Sequence, residues 1–181
     1  MPIYSTRIAT AITFADAAFL AVGQRRKFCG RPYIEHPIRV MRLLDSASAV
    51  NDSMRLAAIL HDTVEDTQVS IKDIENYFGD ATARLVDELT DIAVPSDGVR
   101  AVRVAINHAH TALASPSGKT IKLADVIDNC SNIVEQAPEF AKIYLEEKRL
   151  LLEVLTEGDA RLYRLAHNIV HTGINELKEI K

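Results

Sequence analysis

The sequence predicts an all-α domain of eight or nine helices. Apolar residues recur at helical spacing in almost every segment. Runs with the two-residue alternation of strands are scarce. The interruptions fall where Gly, Pro or a capping residue would stop or start a helix.

Ile8, Ile12, Ala15, Phe19 and Val22 share one face of a first helix that ends near Gly23. Gly30, Pro32 and Pro37 punctuate a loop leading to a helix over Ile38–Leu44. Asp52 can cap the next helix, which runs to about Leu60. Ser70-Ile71-Lys72-Asp73 has the spacing of a capping box, with Asp in place of the longer Glu, and Gly79 ends that helix. Asp80 starts another, with Leu85, Val86 and Leu89 on its apolar face. Pro95-Ser96-Asp97-Gly98 is a turn cluster, followed by a helix from about Val99 to Leu113 that Ser115-Pro116-Ser117-Gly118 ends. Thr120–Val134 is the next helix, and the last two run over about Glu139–Leu155 and Asp159–Leu177, separated by Gly158. There is no repeat, low-complexity tract or linker, so residues 1–181 are expected to form one domain.

The composition bounds the function. The 181 residues are 48% apolar and 25% charged, ordinary for a globular protein with one core. A formal net charge of −4 argues against a nucleic-acid partner. Cys29 and Cys130 are too few for a disulfide framework and suit free thiols in a reducing, cytoplasmic setting. Met-Pro-Ile-Tyr-Ser-Thr-Arg at the start lacks the pattern of a signal peptide, and no apolar run is long enough to span a membrane. The apolar faces of the last two helices could be core or interface, which leaves the oligomeric state open.

The segment Ile59-Leu60-His61-Asp62-Thr63-Val64-Glu65-Asp66-Thr67 carries the most chemistry. It places four ionisable groups directly after the apolar run Leu56–Leu60, where burying charge is costly. A bound cation would offset that cost, and an imidazole beside a carboxylate suits a borderline-hard divalent metal. Two distant segments offer matching ligands: His36 near a helix start and Asp125 inside an apolar helix. Two imidazoles and two carboxylates suit Mn²⁺, Fe²⁺ or Zn²⁺ better than Ca²⁺. Glu65 and Asp66 follow His61 and Asp62 by four residues each. On a continuing helix they would share the ligands' face and could handle a water or a proton. Arg25, Arg26, Lys27 and Arg31 form a basic patch just before His36, of the kind that binds phosphates. His167 and His171 share a helical face without a further ligand nearby, and His108 and His110 are expected to be exposed.

This ordered set resembles the HD-domain metal-dependent phosphohydrolases, and within them the hydrolase domain of the RelA/SpoT family. The match lies in Gln24-Arg25-Arg26-Lys27, Gly30-Arg31-Pro32-Tyr33-Ile34-Glu35-His36-Pro37, Ala57–Thr67, and Ile121–Asp125 with Asn129. It covers roughly residues 5 to 155. The resemblance implies an HD-type helical bundle with His36, His61, Asp62 and Asp125 holding one Mn²⁺ ion. It assigns Glu65 and Asp66 to water activation, Arg25 and Lys27 to the nucleotide or its phosphates, and Asn129 to the sugar or 3′ side. The implied activity is removal of pyrophosphate from guanosine tetra- or pentaphosphate by a stand-alone hydrolase, with a nucleotide polyphosphate as small-molecule partner.

Several positions depart from the family pattern. Ala17–Gly23 stands where Lys-His is common, Arg100 and Arg103 are the only basic residues around 95–105, Val126 replaces a basic residue, and Cys130-Ser131-Asn132 replaces the usual Leu/Met-Arg. These departures keep open an adenosine alarmone or another 3′-phosphorylated nucleotide as substrate. Another HD-type nucleotidase or phosphodiesterase, and a non-catalytic alarmone-binding module, are the remaining alternatives.

Overall fold

The computed structural model describes residues 5–179. Met1–Tyr4, on which part of the reading of the N-terminus rests, and residues 180–181 of the single-domain expectation lie outside the described residues. Within them the chain is all-helical, with one isolated bridge between Arg25 and Pro32. The helices are α1 (Thr6–Ala21), α2 (Glu35–Leu44), α3 (Asp52–Leu60), α4 (Thr63–Asp66), α5 (Ile71–Phe78), α6 (Asp80–Leu89), α7 (Arg100–Ala112), α8 (Pro116–Cys130), α9 (Ile133–Gln136), α10 (Pro138–Leu152) and α11 (Ala160–Glu179). The 95–98 turn cluster is a single 3-10 turn, Pro95–Asp97. The two helices beyond the expected nine, α4 and α9, are one turn each, too short to show a periodicity.

Helices α3 and α8 lie at the centre. Leu56 to Leu60 have no exposed surface, and every residue from Gly118 to Ile127 is buried. The buried stretch of α3 is apolar all round, whereas α8 buries Lys119, Thr120, Lys122 and Asp125 among its apolar residues, so polar groups are carried into the centre of the fold there. Each fully buried Leu or Ile stabilises the fold by about 1.5–3 kcal/mol relative to exposure. Helix α2 packs on both α3 and α8, α1 covers α3, and α11 covers α8. The three helices that carry the proposed metal ligands therefore meet around one point of the core.

Local expectations hold where capping chemistry is explicit. Ser70 accepts from the Asp73 backbone N–H, and the Asp73 carboxylate accepts from Ser70 N–H at 2.9 Å, closing the capping box. Gly79 follows α5 at φ +89°, a conformation that β-carbon sterics disfavour in other residues. Other expectations need correction. Asn51, not Asp52, caps α3: its side chain accepts from Met54 N–H at 2.9 Å. Val22 lies just past α1 and is exposed. Helix α2 starts at Glu35, because Pro37 falls in the first turn, where a missing N–H costs nothing. Ser115-Pro116-Ser117-Gly118 opens α8 instead of closing α7. Ser115 caps it by accepting from Gly118 N–H, Pro116 takes the first helical position, and Glu88 accepts from both the N–H and the hydroxyl of Ser115. The expected Thr120–Val134 helix divides into α8 and α9.

Candidate metal centre

His36, His61, Asp62 and Asp125 converge. His36 comes from the first turn of α2, His61 and Asp62 from the turn after α3, and Asp125 from the middle of α8. The ligand atoms of His36, His61 and Asp62 lie within 4.8 Å of one another. Asp125 Oδ1 is 3.2 Å from His36 Nε2 and 3.8 Å from His61 Nε2. Asp62 Oδ2 is 3.5 Å and 3.1 Å from the same two nitrogens.

The other ring nitrogen of each histidine is already engaged. His61 Nδ1–H donates to the Ala58 carbonyl at 2.9 Å, and His36 Nδ1–H donates to Asp128 Oδ2 at 2.6 Å. Arg39 in turn grips Asp128 with two donors, at 2.5 and 3.0 Å. These bonds turn both Nε2 lone pairs towards the shared point, as in carboxylate–histidine–metal arrangements. Among the described residues, His36 Nε2 and His61 Nε2 are the buried side-chain polar atoms without a hydrogen-bond partner. Such orphans are costly unless something else occupies their lone pairs. Two imidazoles with two carboxylates are the donor set of a divalent transition metal, so the residues fit such an ion.

The electrostatics agree. Burial raises the Asp125 carboxyl, but Lys122 and the facing histidines outweigh it and hold the group well below its usual range. Burial also raises Asp62, yet the neighbouring His61 charge brings it down to about 2. Burial lowers His61, while Asp62 and Asp125 push it up to about 10. Two ionised carboxylates in the core thus demand positive charge, as imidazolium protons or as a bound cation.

Glu65 and Asp66 do not extend α3. The helix stops at Leu60, Thr63 Oγ donates to the Leu60 carbonyl, and α4 restarts the chain, with Asp66 N–H reaching the Asp62 carbonyl at 2.9 Å. The two acids then diverge. Asp66 accepts from Gln24 Nε2 at 2.8 Å. Glu65 accepts from Asp91 N–H at 3.3 Å and is open to the cleft. Crowding by surrounding atoms and the negative charges of Asp91 and Asp62 push Glu65 up to about 7, near neutrality where a proton can be taken and returned. Asp66 is also raised, by burial and then by Asp62.

A cleft of about 310 Å³ opens over this floor and brings together Arg25, Lys27, Asp62, Glu65, Asp66 and Asn129. Arg25 is exposed and donates to the Gly30 carbonyl. Lys27 Nζ sits over the Phe28 and Phe140 rings, 5.3 and 4.7 Å from their centroids. Asn129 Nδ2 donates to Asp125 Oδ1 at 2.6 Å and its side-chain carbonyl accepts from Arg26, so it braces a proposed ligand as well as lining the cleft.

Other supporting residues escaped the sequence reading. Asp128 carries a signal, since it follows Asp125 by one helical turn; Tyr33, whose hydroxyl donates to Asp62 Oδ2 at 2.8 Å, and Asp91 carry none that periodicity reveals. His108 and His110 are half-buried, not exposed: His108 lines a second cleft and His110 reaches the Asp87 carbonyl at 3.1 Å. His167 and His171 stack at 4.1 Å between centroids, with no third ligand beside them among the described residues.

Comparison with known proteins places these features in a family. A family profile described as HD domain matches residues 11–150. A guanosine-3′,5′-bis(diphosphate) 3′-pyrophosphohydrolase of Homo sapiens is 40% identical over 119 residues, 64% of this chain and 64% of that protein. Its Drosophila melanogaster counterpart is 39% identical over 124 residues, 67% of this chain and 68% of that protein. The aligned region thus spans about two thirds of these relatives' length. A solved structure of a metazoan ortholog of SpoT, described as hydrolyzing ppGpp with a role in starvation responses, superposes with a TM-score of 0.84. It is 27% identical and covers 95% of this chain and 98% of that one. In the described residues of this chain no helix is long and apolar enough to cross a membrane.

Proposed function

This chain belongs to the HD-domain family, and from that premise we propose that it is a divalent-metal-dependent 3′-pyrophosphohydrolase of guanosine 3′,5′-bis(diphosphate) and its pentaphosphate analogue. The products are GDP or GTP and pyrophosphate. One observation carries the reading: two buried, unpartnered imidazole nitrogens converge with two carboxylates beneath a cleft rimmed by cations. The similarity to proteins named for this reaction supports it. Residues 1–181 act as a single domain of the reducing cytoplasm in this reading.

His36, His61, Asp62 and Asp125 would hold the ion, Mn²⁺ in our reading, with Zn²⁺ and Fe²⁺ as the alternatives that the same donors suit. When bound, it supplies Lewis-acid charge to the 3′-phosphoryl group. Asp128 holds His36 in the tautomer whose Nε2 lone pair is free, and the Ala58 carbonyl does the same for His61. Glu65, poised near neutrality, takes the proton from the attacking water; Asp66, fixed by Gln24, orients that water. Arg25 and Lys27 neutralise the polyphosphate, and Asn129 offers its amide to the ribose 3′ side. The aromatic wall of Phe28, Phe140 and Tyr144, with centroids 5.4 and 5.1 Å apart, offers a stacking surface beside the cations.

The test is pyrophosphate release from guanosine tetraphosphate with Mn²⁺, with EDTA, and in the Asp62→Ala and Glu65→Ala variants. Metal-dependent release that both substitutions abolish is expected. Turnover that survives chelation and both substitutions would refute the proposal. Adenosine alarmones and simple phosphodiesters in the same panel separate the alternative substrates. Tight nucleotide binding without turnover would identify a binding module instead.

A further inference from the structure

A second cavity, of about 470 Å³, lies beside the cleft and contains none of the four proposed metal ligands. Arg26, with its hydrogen bond to Asn129, belongs to the walls of both spaces. Four guanidinium groups line the second cavity: Arg26, Arg31, Arg39 and Arg42. Asp128 is the one carboxylate in its wall.

The local charge is far from balanced. Arg31 and Arg39 share Glu35, at 3.1 and 3.5 Å. Arg39 also holds Asp128, and Arg26 approaches the same carboxylate at 3.9 Å. Arg42, exposed in the last turn of α2, has no carboxylate partner among the described residues. Four guanidinium groups therefore share two carboxylates, in a chain whose formal net charge is −4. Asp128 also accepts from His36 Nδ1–H, so part of its charge is committed away from the arginines. The remaining wall is mixed, with Leu43 and Ile133 apolar and Asn132 and Gln136 able to donate and accept.

We propose that this cavity is a second binding site, for a phosphorylated small molecule whose diphosphate is gripped by Arg31 and Arg42, with Arg39, held by Asp128 and Glu35, adding positive charge behind them. Guanidinium forks match phosphate oxygens in pairs, and a surplus of two positive charges matches a diphosphate better than a single carboxylate. The volume falls in the range of small-molecule sites, and the mixed wall suits an organic group attached to the phosphates. The site borders the metal centre, through Asp128 on His36 and Asn129 on Asp125, but holds none of its proposed ligands, and it does not depend on the hydrolase reading.

The experiment is calorimetric titration of the full chain in EDTA with inorganic pyrophosphate and with GDP, which removes any metal-dependent binding at the catalytic cluster. Saturable binding is expected. Arg42→Glu and Arg31→Glu should each weaken it at least tenfold, Arg42→Lys, which keeps the charge but loses the fork, should weaken it less than Arg42→Glu does, and Lys27→Ala in the neighbouring cleft should change it less than twofold. Circular dichroism checks that each variant is folded, and Arg42→Ala serves if Arg42→Glu is not. Tighter binding of GDP than of pyrophosphate would identify a nucleotide as the occupant; the reverse would identify the inorganic anion. Absence of metal-independent binding, or binding that Lys27→Ala removes and Arg42→Glu spares, would overturn the proposal. Hydrolysis does not enter this readout, so failure here leaves the proposed activity standing, and failure of that activity leaves this site standing.

Discussion

The floor of the cleft presents His36, His61 and Asp125 from elements buried in the core, whereas its basic rim, residues 24–31, lies in turns with Arg25, Lys27 and Arg31 open to solvent. On the floor each proposed ligand has a supporting partner: Asp128 for His36, a carbonyl for His61, Tyr33 for Asp62, and Asn129 and Lys122 for Asp125. On the rim, Arg25 has one backbone contact and Lys27 rests on aromatic faces. The contrast assigns different work to the two regions. A preorganised floor sets reaction chemistry, because its groups need not rearrange when charge develops. A solvated rim would, in the proposed function, set affinity and substrate choice, because its contacts form on binding.

Breaking the floor should have the largest effect. His61→Ala or Asp125→Ala is expected to abolish stoichiometric metal in the purified protein and to lower turnover by roughly a hundred- to a thousandfold or more. Metal analysis and single-turnover assays measure both, and a variant that keeps its metal would mean the cluster has another purpose. Asp128→Asn tests the support alone. Losing the carboxylate behind His36 should weaken metal binding by roughly 10- to 100-fold, read by chelator competition. An unchanged affinity would make Asp128 merely a partner for Arg39.

The rim should respond more gently. Lys27→Ala removes a charge-assisted contact of about 1.5–3 kcal/mol, which raises KM roughly 10- to 100-fold with kcat little changed. A fall in kcat with KM constant would move Lys27 into the chemistry. Glu65, between the two regions, predicts an acid limb of the kcat/KM profile near pH 7. Asp91→Asn removes one of the negative charges that raise Glu65, so the limb should move to lower pH; a limb that stays in place would assign the titration to another group.

The smallest effect concerns stability. The folded value of Glu65, about 7, lies above its ordinary value of 4.5, so the folded state holds this proton more tightly than the unfolded chain. Its contribution therefore falls as pH rises from about 4.5 to 7. Glu65→Gln should flatten that part of the denaturation profile, and an unaltered slope would contradict the raised value.

Much of the floor was legible from sequence, for identifiable reasons. His61-Asp62 announces itself by interrupting an apolar run, and Asp125 by lying within one. The Ser70–Asp73 box and the Asp80 start are local devices, and local devices survive folding unchanged. The misread Ser115–Gly118 segment contains the same residues that end helices elsewhere. What makes it a start is the Ser115 cap on Gly118 N–H with Pro116 at the first helical position, and Glu88, 27 residues from Ser115 in sequence, secures that cap once α6 and α8 have packed. The break after Leu60 has a related cause. A continuing helix would set Glu65 and Asp66 in line with the ligands, whereas the turn at His61-Asp62 sends one acid to Gln24 and the other to Asp91.

The sequence by itself determined the all-helical class, the four ligand candidates, the pair of acids and the cationic loop. Each of these rests on residue type and on spacing along the chain, which are local quantities. Tertiary structure alone decided that α2, α3 and α8 meet at one point, that both Nε2 lone pairs are aimed there, that crowding and the Asp91 charge together raise the proton affinity of Glu65, and that four arginines surround a common cavity. Those properties depend on distances between groups far apart in the chain, and electrostatic and coordination energies are functions of that distance.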